Sequence, residues 1–287
     1  MASGYTINWA GAATIDSMAL SSGARLRYLK IGTGPPLLLM HTLRTQLDYF
    51  QRLIPRLTNH FTVYAVDLPG LGGSEIRRGA RYDEPTVRRD ILELIQRLEL
   101  KDFTLAGESM GATLALSVTA ELGSRVSRVV ALNTYDYPQG VERANLLASV
   151  LIKAMRIPGL GLIPAKLENA MLLGGILRGG FFDPNKLPRD FVHELIRSGQ
   201  RPGFPWVETG YVRALSSYIA ARRMYGRVDR PVTLVYGDHD WSRPAEREAV
   251  ARSVAGSRMV TLANTGHFAS LEHPAEVARI LLDERAG

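Results

Sequence analysis

Short apolar runs alternate with amphipathic stretches along most of this 287-residue chain. One run, Pro36–Met40 (PLLLM), is apolar throughout, which is typical of a strand buried on both faces of a sheet. Strands that alternate with helices favour a mostly parallel sheet flanked by helices, an α/β fold. The predicted strands are Arg25–Ile31, Pro36–Met40 and residues 61–66, 103–106, 129–132, 232–236 and 259–262.

Helical periodicity separates these runs. In residues 86–98, Val87, Ile91 and Leu94 share one face of a helix while charged side chains take the other, and Pro85 suits a helix start. The other predicted helices of this kind are Met110–Leu122 and residues 245–254 and 274–283.

The alternation fails in residues 134–213, which contain no convincing strand. Apolar helices are predicted there at residues 144–155, 167–177 and 190–197. Because strand–helix units resume afterwards, we expect residues 1–133 and 214–287 to form one core with 134–213 inserted as a helical cap. A separate helical domain is the alternative. The stripe of Leu146, Leu147, Val150, Leu151 and Met155 is expected to be buried.

A Gly-x-Ser-x-Gly pattern, Gly107 to Gly111 (GESMG), lies where an apolar strand gives way to an apolar helix. Glycines on both sides of Ser109 permit a sharp turn that pushes the serine hydroxyl out of the fold. Glu108 is expected to support this turn. The pentapeptide alone also arises by chance, so its surroundings have to decide its meaning.

Three further polar segments follow predicted strands, at the edge where open α/β sheets bind ligands. They are His41–Thr42–Leu43, Asp238 to Asp240 and, after the last strand, His267. A serine, then an acid, then a histidine is the order of a hydrolase whose serine occupies such a turn.

These segments resemble the α/β-hydrolase family, of the kind with a helical cap before the last strands. The resemblance covers nearly the whole chain and rests on YLKIGTGPPLLLMH, VDLPGLGGS, GESMG, YGDHD followed by Pro244, and the late GHF. It implies the α/β-hydrolase fold, with Ser109 as nucleophile and His267 as its base. The family pattern Gly-x-x-Asp, read from Gly237, indicates Asp240 as the acid; Asp136 and Asp238 are alternatives.

The resemblance also implies an oxyanion hole made by the backbone N–H groups of Met110 and Leu43. The family usually has glycine directly after the histidine, and Thr42 replaces it here, which leaves the second donor open. His41, Arg44 and Trp241 are candidate substrate-binding residues. Arg44 either faces an anionic substrate group or is salt-bridged, and Trp241 either lines the pocket or packs in the core.

The formal charge of +7 comes from dispersed residues, nearly all arginine, so we expect no nucleic-acid partner. The absence of cysteine excludes disulfides and thiolate metal sites, and no spacing suggests another metal site or a cofactor. The first residues do not read as a signal peptide, and charges interrupt the most apolar region. A cytoplasmic protein, monomer or dimer, is expected, acting on a small molecule.

Cleavage of a carboxylic ester through an acyl-enzyme is the leading hypothesis for function. The same residues suit a carbon–carbon bond hydrolase of a diketone-like acid, with Arg44 holding the carboxylate, or a thioesterase, lactonase or perhydrolase. A non-catalytic binding protein on the same scaffold is the remaining class. An aspartate at position 109 would instead have indicated epoxide hydrolysis or dehalogenation.

Overall fold

The computed structural model describes residues 4–157 and 160–283. Within them, eight strands form one sheet in the order β1-β2-β4-β3-β5-β6-β7-β8. β1 and β4 both pair antiparallel with β2, and all other neighbours are parallel, so the predicted mostly parallel sheet is confirmed. The strands are β1 Thr14–Ala19, β2 Arg25–Ile31, β3 Pro36–Met40, β4 Thr62–Val66, β5 Phe103–Glu108, β6 Val126–Leu132, β7 Val232–Gly237 and β8 Arg258–Leu262.

The strand order changes direction at β3: the next strand along the chain, β4, lies on one side of β3, and the strand after it, β5, lies on the other side. A crevice therefore opens at the carboxyl ends of β3 and β5, the usual ligand position in open α/β sheets. The predicted elements that end there, Pro36–Met40 and residues 103–106, are thus the pair that brackets the site.

Helices cover both faces of the sheet. Successive side chains of β3 alternate between two hydrophobic cores: Leu38 and Met40 belong to the core with α2 (residues 84–97) and α3 (residues 110–122), whereas Leu37 and Leu39 belong to the core with α11 (residues 274–282). The helices are α1 Gly4–Ala10, α2 Glu84–Arg97, α3 Met110–Leu122, α4 Leu146–Met155, α5 Leu162–Lys166, α6 Ala170–Arg178, α7 Arg189–Gly199, α8 Phe204–Ala221, α9 Pro244–Ser253, α10 Ala269–Glu272 and α11 Pro274–Leu282.

The start of α2 shows how the local sequence sets an element. The side chain of Asp83 accepts a hydrogen bond from the backbone N–H of Thr86 at 3.1 Å, and Pro85 occupies the first turn, where its missing N–H costs nothing. The helix therefore begins two residues before the predicted range of 86–98.

Helices α4 to α8 all lie in the segment between β6 and β7. The boundary expected at residue 213 falls inside α8, which continues to Ala221 and is followed by a 3-10 turn, Arg222–Arg227. Every helix in the described ranges is too short or too polar to cross a bilayer.

The expected burial of the α4 stripe is wrong in part. Leu146 and Val150 are 80% and 57% exposed, while Ala148, Ile152 and Met155 are buried. The buried face, which carries Ala148, Ile152 and Met155, is therefore rotated about the helix axis from the predicted stripe.

Candidate active site

Ser109 occupies the turn between β5 and α3 in a strained conformation, with φ 58° and ψ −117°. The two flanking residues have to be glycine because other backbone atoms lie too close to leave room for a Cβ. A Cβ on Gly111 would collide with the backbone carbonyl oxygen of Met40, and one on Gly107 would collide with the carbonyl of Gly111 itself. The turn is thus wedged against the end of β3, which holds the serine hydroxyl at the crevice.

Three side chains from three strand ends form one hydrogen-bonded chain. Ser109 Oγ lies 2.8 Å from His267 Nε2, and His267 Nδ1 is hydrogen-bonded to Asp240 Oδ1. All three are buried. With its proton on Nδ1, facing the carboxylate, the imidazole accepts the serine proton at Nε2, the arrangement that activates a hydroxyl for attack.

The second oxygen of Asp240 is held by Ser242. Asp240 Oδ2 accepts hydrogen bonds from the backbone N–H of Ser242, at 3.0 Å, and from its hydroxyl, while Arg247 Nε donates to that hydroxyl at 2.9 Å. Burial opposes ionisation of Asp240, but His267 and the two Ser242 donors outweigh it and hold its pKa below the usual value. Asp240 therefore stays ionised and fixed in orientation.

The other two candidate acids have different partners. Asp136 follows β6 but turns toward Thr134, whose hydroxyl lies 3.3 Å from Asp136 Oδ1, and burial raises its pKa to about 6. Asp238 accepts the backbone N–H groups of Asn264 and Thr265, each at 3.0 Å, and so holds the turn after β8. Of the three, the structure brings Asp240 to His267.

One face of the imidazole ring of His267 is covered by Trp241. The indole of Trp241 stacks on it with ring centroids 3.8 Å apart and an interplanar angle of 14°. Trp241 Nε1 in turn donates to the carbonyl of Gly179, at the end of α6, at 3.0 Å. Trp241 also lines the cavity, so both sequence-based alternatives for this residue hold at once.

Glu108 joins the serine turn to the histidine loop, as expected. Its Oε2 accepts the backbone N–H of Ser270 at 3.2 Å, and it is fully buried. Asn133, at the end of β6, strengthens the same connection by donating to the carbonyl of His267 at 3.0 Å and accepting the N–H of Gly237 at 2.9 Å.

His41 stabilises the loop after β3 through hydrogen bonds and does not line the cavity. Its Nδ1 donates to the carbonyl of Thr42 at 2.8 Å, and its Nε2 accepts the backbone N–H of Leu68 at 3.0 Å. Burial lowers its pKa to about 4, so the ring is neutral near pH 7. The sequence-based expectation that His41 contacts substrate therefore has no support in its position.

The departure from the family glycine at Thr42 has a structural explanation. The residue with positive φ in this loop is Arg44, at 59°, whereas Thr42 keeps an ordinary conformation. The turn closes where Thr45 donates its hydroxyl to the carbonyl of Thr42 at 2.9 Å. Leu43, inside this turn, and Met110, the first residue of α3, both border the cavity beside Ser109.

Arg44 is paired with acidic side chains of the inserted helices. Its Nε donates to Glu168 at 3.0 and 3.2 Å and lies 3.4 Å from Glu208 Oε1. A terminal nitrogen donates to the carbonyl of Leu195 at 3.3 Å, and the guanidinium lies over the ring of Phe204. The salt-bridged alternative for Arg44 is thus the one that the structure contains.

A cavity of about 60 Å³ lies above Ser109. Side chains from α4, α6 and α8 form much of its wall, with the loop after β3 and Trp241 on the other side. Apart from Ser109, Thr42 and the charged group around Arg44, its lining is apolar: Leu43, Met110, Tyr135, Val141, Leu151, Ile152, Met155, Leu173, Ile176, Leu177, Val212, Leu215, Trp241 and Phe268.

The sequence pattern of the alpha/beta hydrolase family matches residues 35–280, most of the chain. This protein belongs to the alpha/beta hydrolase family. The match begins before β3 and ends within α11, so it includes strands β3 to β8 and the inserted helices.

Relatives of this alpha/beta hydrolase cover the chain almost end to end. Haloalkane dehalogenase 2 of Mycobacterium tuberculosis is 26% identical over 279 residues, 92% of each chain. A soluble epoxide hydrolase of Corynebacterium sp. is 26% identical over 273 residues, 89% of this chain and 92% of the relative. The crystal structure of Cfl2 from Burkholderia cenocepacia superposes with a TM-score of 0.81 at 24% identity over 94% of both chains, which shows a shared fold.

Sequence reasoning missed several residues around the site of this alpha/beta hydrolase. Glu168 and Glu208 belong to the inserted helical segment and pair with a loop more than a hundred residues earlier, so no local pattern indicates them. Ser242 lies two residues after Asp240, and this short spacing is the feature of the sequence that could have indicated their contact. Among the described residues, no group of three or more potential metal ligands is present.

Proposed function

We propose that this alpha/beta hydrolase cleaves carboxylic esters of small, largely apolar substrates through an acyl-enzyme on Ser109. The observation that carries the proposal is the hydrogen-bonded chain of Ser109, His267 and Asp240 beneath an apolar cavity. In the proposed architecture the helices of residues 134–213 act as the cap that roofs the serine.

The chemistry runs in two halves. Ser109 Oγ attacks the ester carbonyl carbon as its proton passes to His267 Nε2, and the protonated imidazole then gives that proton to the departing alcohol oxygen. A water molecule attacks the resulting acyl-serine while His267 takes its proton. Collapse returns the proton to Ser109 and releases the carboxylic acid, so each half begins and ends with a neutral imidazole.

Negative charge develops on the carbonyl oxygen in both halves. The N–H of Met110 begins α3 and so has no carbonyl partner within the helix, which leaves it free to donate to this oxygen. We assign the second donor to the N–H of Leu43, in the turn that Thr42 and Thr45 close. Each such donor is worth about 10²–10³ in kcat.

The serine itself argues for acyl transfer over the reactions named for the two relatives. Attack of a serine on an epoxide or haloalkane carbon would form an alkyl ether, which has no carbonyl for water to attack and would therefore block the enzyme. An ester, thioester or lactone gives an acyl-serine that water can hydrolyse.

The carbon–carbon alternative required Arg44 to hold a substrate carboxylate. Arg44 already contacts Glu168 and Glu208, so an anion there would meet two carboxylates beside one guanidinium. This pairing favours uncharged or cationic substrates over diketone-like acids.

A panel of p-nitrophenyl esters tests the proposal. Burial of each methylene in an apolar cavity contributes about 0.8 kcal/mol before binding costs, so kcat/KM should rise from acetate toward hexanoate. Long chains should gain little, because the cavity is small. A flat or falling series would contradict an apolar acyl site. Preferential cleavage of a diketone-like acid in a parallel assay would favour the carbon–carbon reaction.

A further inference from the structure

A charged group stands in the wall of an otherwise apolar cavity. Arg44, from the loop after β3, and Glu168 and Glu208, from the inserted helices, line the same cavity as Ser109. Their side chains are only 9%, 10% and 7% exposed. Burial of a carboxylate this deep in an apolar wall costs desolvation free energy. Proteins contain such carboxylates mainly where they are paired with a cation or take part in function.

The pairing within this group is unequal. Glu168 accepts hydrogen bonds from Arg44 Nε, at 3.0 and 3.2 Å, and from a terminal nitrogen of the same guanidinium, whereas Glu208 Oε1 has one longer contact with Nε, 3.4 Å. Glu208 Oε2 is buried and has no N–H or O–H donor anywhere in the part of the chain that the structure describes. Two carboxylates therefore share one guanidinium, and one acceptor oxygen is left over.

From this geometry we infer that Glu208 is the recognition site for a hydrogen-bond donor, an ammonium or a hydroxyl, at the end of the substrate remote from the scissile bond. The inference rests on the proposed function, since it places the scissile carbonyl at Ser109. The substrate class becomes esters with an apolar middle and a donor-bearing tail.

The charge count of the site supports this choice. An ammonium completes a group of two cations and two carboxylates, and a hydroxyl satisfies Glu208 Oε2 without adding charge. A carboxylate tail would place a further negative charge beside Glu168. Burial, with the neighbouring Glu168, raises the pKa of Glu208 to about 8 despite Arg44, so an ammonium tail binds with loss of the proton from Glu208.

The position of the group also suits a polar tail. Arg44 and Glu168 border a depression on the outer surface as well as the internal cavity. This end of the cavity therefore lies close to solvent, and a charged tail there loses less hydration than one enclosed on all sides.

Matched p-nitrophenyl esters test the inference in the wild-type enzyme. The four tails are 6-aminohexanoate, 6-hydroxyhexanoate, heptanoate and the monoester of adipate, which have the same chain length. The first three differ only in the terminal group, and in adipate a carboxylate replaces that group and the last methylene. We expect kcat/KM for the amino or the hydroxyl tail, or both, to exceed that for heptanoate by about 10-fold, and adipate to be the poorest. The amino and hydroxyl arms identify the preferred donor. Equal rates for donor and methyl tails, or a preference for adipate, would overturn the inference.

Glu208→Gln and the exposed Glu248→Gln form a matched pair of variants, because both replace one glutamate carboxyl group with an amide of the same size. The ratio of donor tail to heptanoate should fall several-fold toward one in Glu208→Gln and keep its wild-type value in Glu248→Gln. The readout is a ratio, so a general loss of stability does not mimic it. An identical ratio in both variants would assign Glu208 a purely structural role.

A binding arm separates this inference from the proposed function. Thermal unfolding of Ser109→Ala is followed with hexylamine, 1-hexanol or hexanoate, none of which requires ester cleavage. The inference predicts greater stabilisation by the amine or the alcohol than by the carboxylate. Failure of all ester hydrolysis with this binding order intact would refute the esterase proposal alone. Preferential stabilisation by hexanoate would refute the inference.

Discussion

Three aspartates near the histidine loop give the sharpest test of the site, because each can be changed to asparagine without changing its size. The predicted consequence for Asp240 follows from its hydrogen bonds. Asp240 Oδ2 accepts two donors from Ser242, so the carbonyl oxygen of an asparagine has to occupy that position. The amide nitrogen then faces His267 Nδ1 and donates to it.

An imidazole that accepts a hydrogen bond at Nδ1 carries its proton on Nε2, the atom that faces Ser109. In that tautomer it cannot take the serine proton. The loss expected for such a change is about 10⁴-fold in kcat, or roughly 5.5 kcal/mol of transition-state stabilisation. Asp136→Asn and Asp238→Asn should change kcat only a few-fold, because their partners are Thr134 and the turn after β8.

The assay is hydrolysis of p-nitrophenyl hexanoate under saturating conditions, with circular dichroism and thermal unfolding to confirm that each variant is folded. A loss of less than 10-fold in Asp240→Asn would refute the assignment of the acid. A loss in Asp136→Asn as large as that in Asp240→Asn would show that His267 is oriented through a second carboxylate.

Two further predictions concern stability. Gly111→Ala should lower the free energy of unfolding by about 3 kcal/mol, because its Cβ meets the rigid carbonyl of Met40, whereas Gly226→Ala, with open space around it, serves as the control; equal denaturation midpoints would contradict the close approach. Asp136 binds its proton more tightly when folded, with a pKa of about 6, than in an unfolded chain at about 3.9, so the wild type should lose about 2 kcal/mol relative to Asp136→Asn as the pH rises from 4 to 7. Parallel stability curves for the two proteins over that range would contradict this sign.

The predictable part of the fold is the part with a local cause. The turn at Ser109 follows from two glycines beside one serine, and the buried strands follow from continuous apolar runs such as Pro36–Met40. β1 and α1 were not predicted. Half of the residues of β1 (TIDSMA) are polar and most are exposed at the sheet edge, so the strand depends on its pairing with β2.

The site was predictable at the level of strand ends and not at the level of side-chain pairing. The residue order Ser109, Asp240, His267 indicated which loops meet. The salt bridge between Arg44 and Glu168 joins residues 124 positions apart, and it depends on how the inserted helices dock. The predicted buried face of α4 was wrong in part for the same reason, since the docked helix buries Ala148 and exposes Leu146.

Detection of the acyl-enzyme tests the nucleophilic role of Ser109 most directly. The wild-type enzyme is mixed with p-nitrophenyl hexanoate, quenched in acid during the first turnovers and analysed by peptide mass spectrometry. We predict one hexanoyl group on the peptide that contains Ser109 and none in the Ser109→Ala variant. Acylation of another residue, or wild-type ester hydrolysis by Ser109→Ala alone, would contradict a nucleophilic role for Ser109.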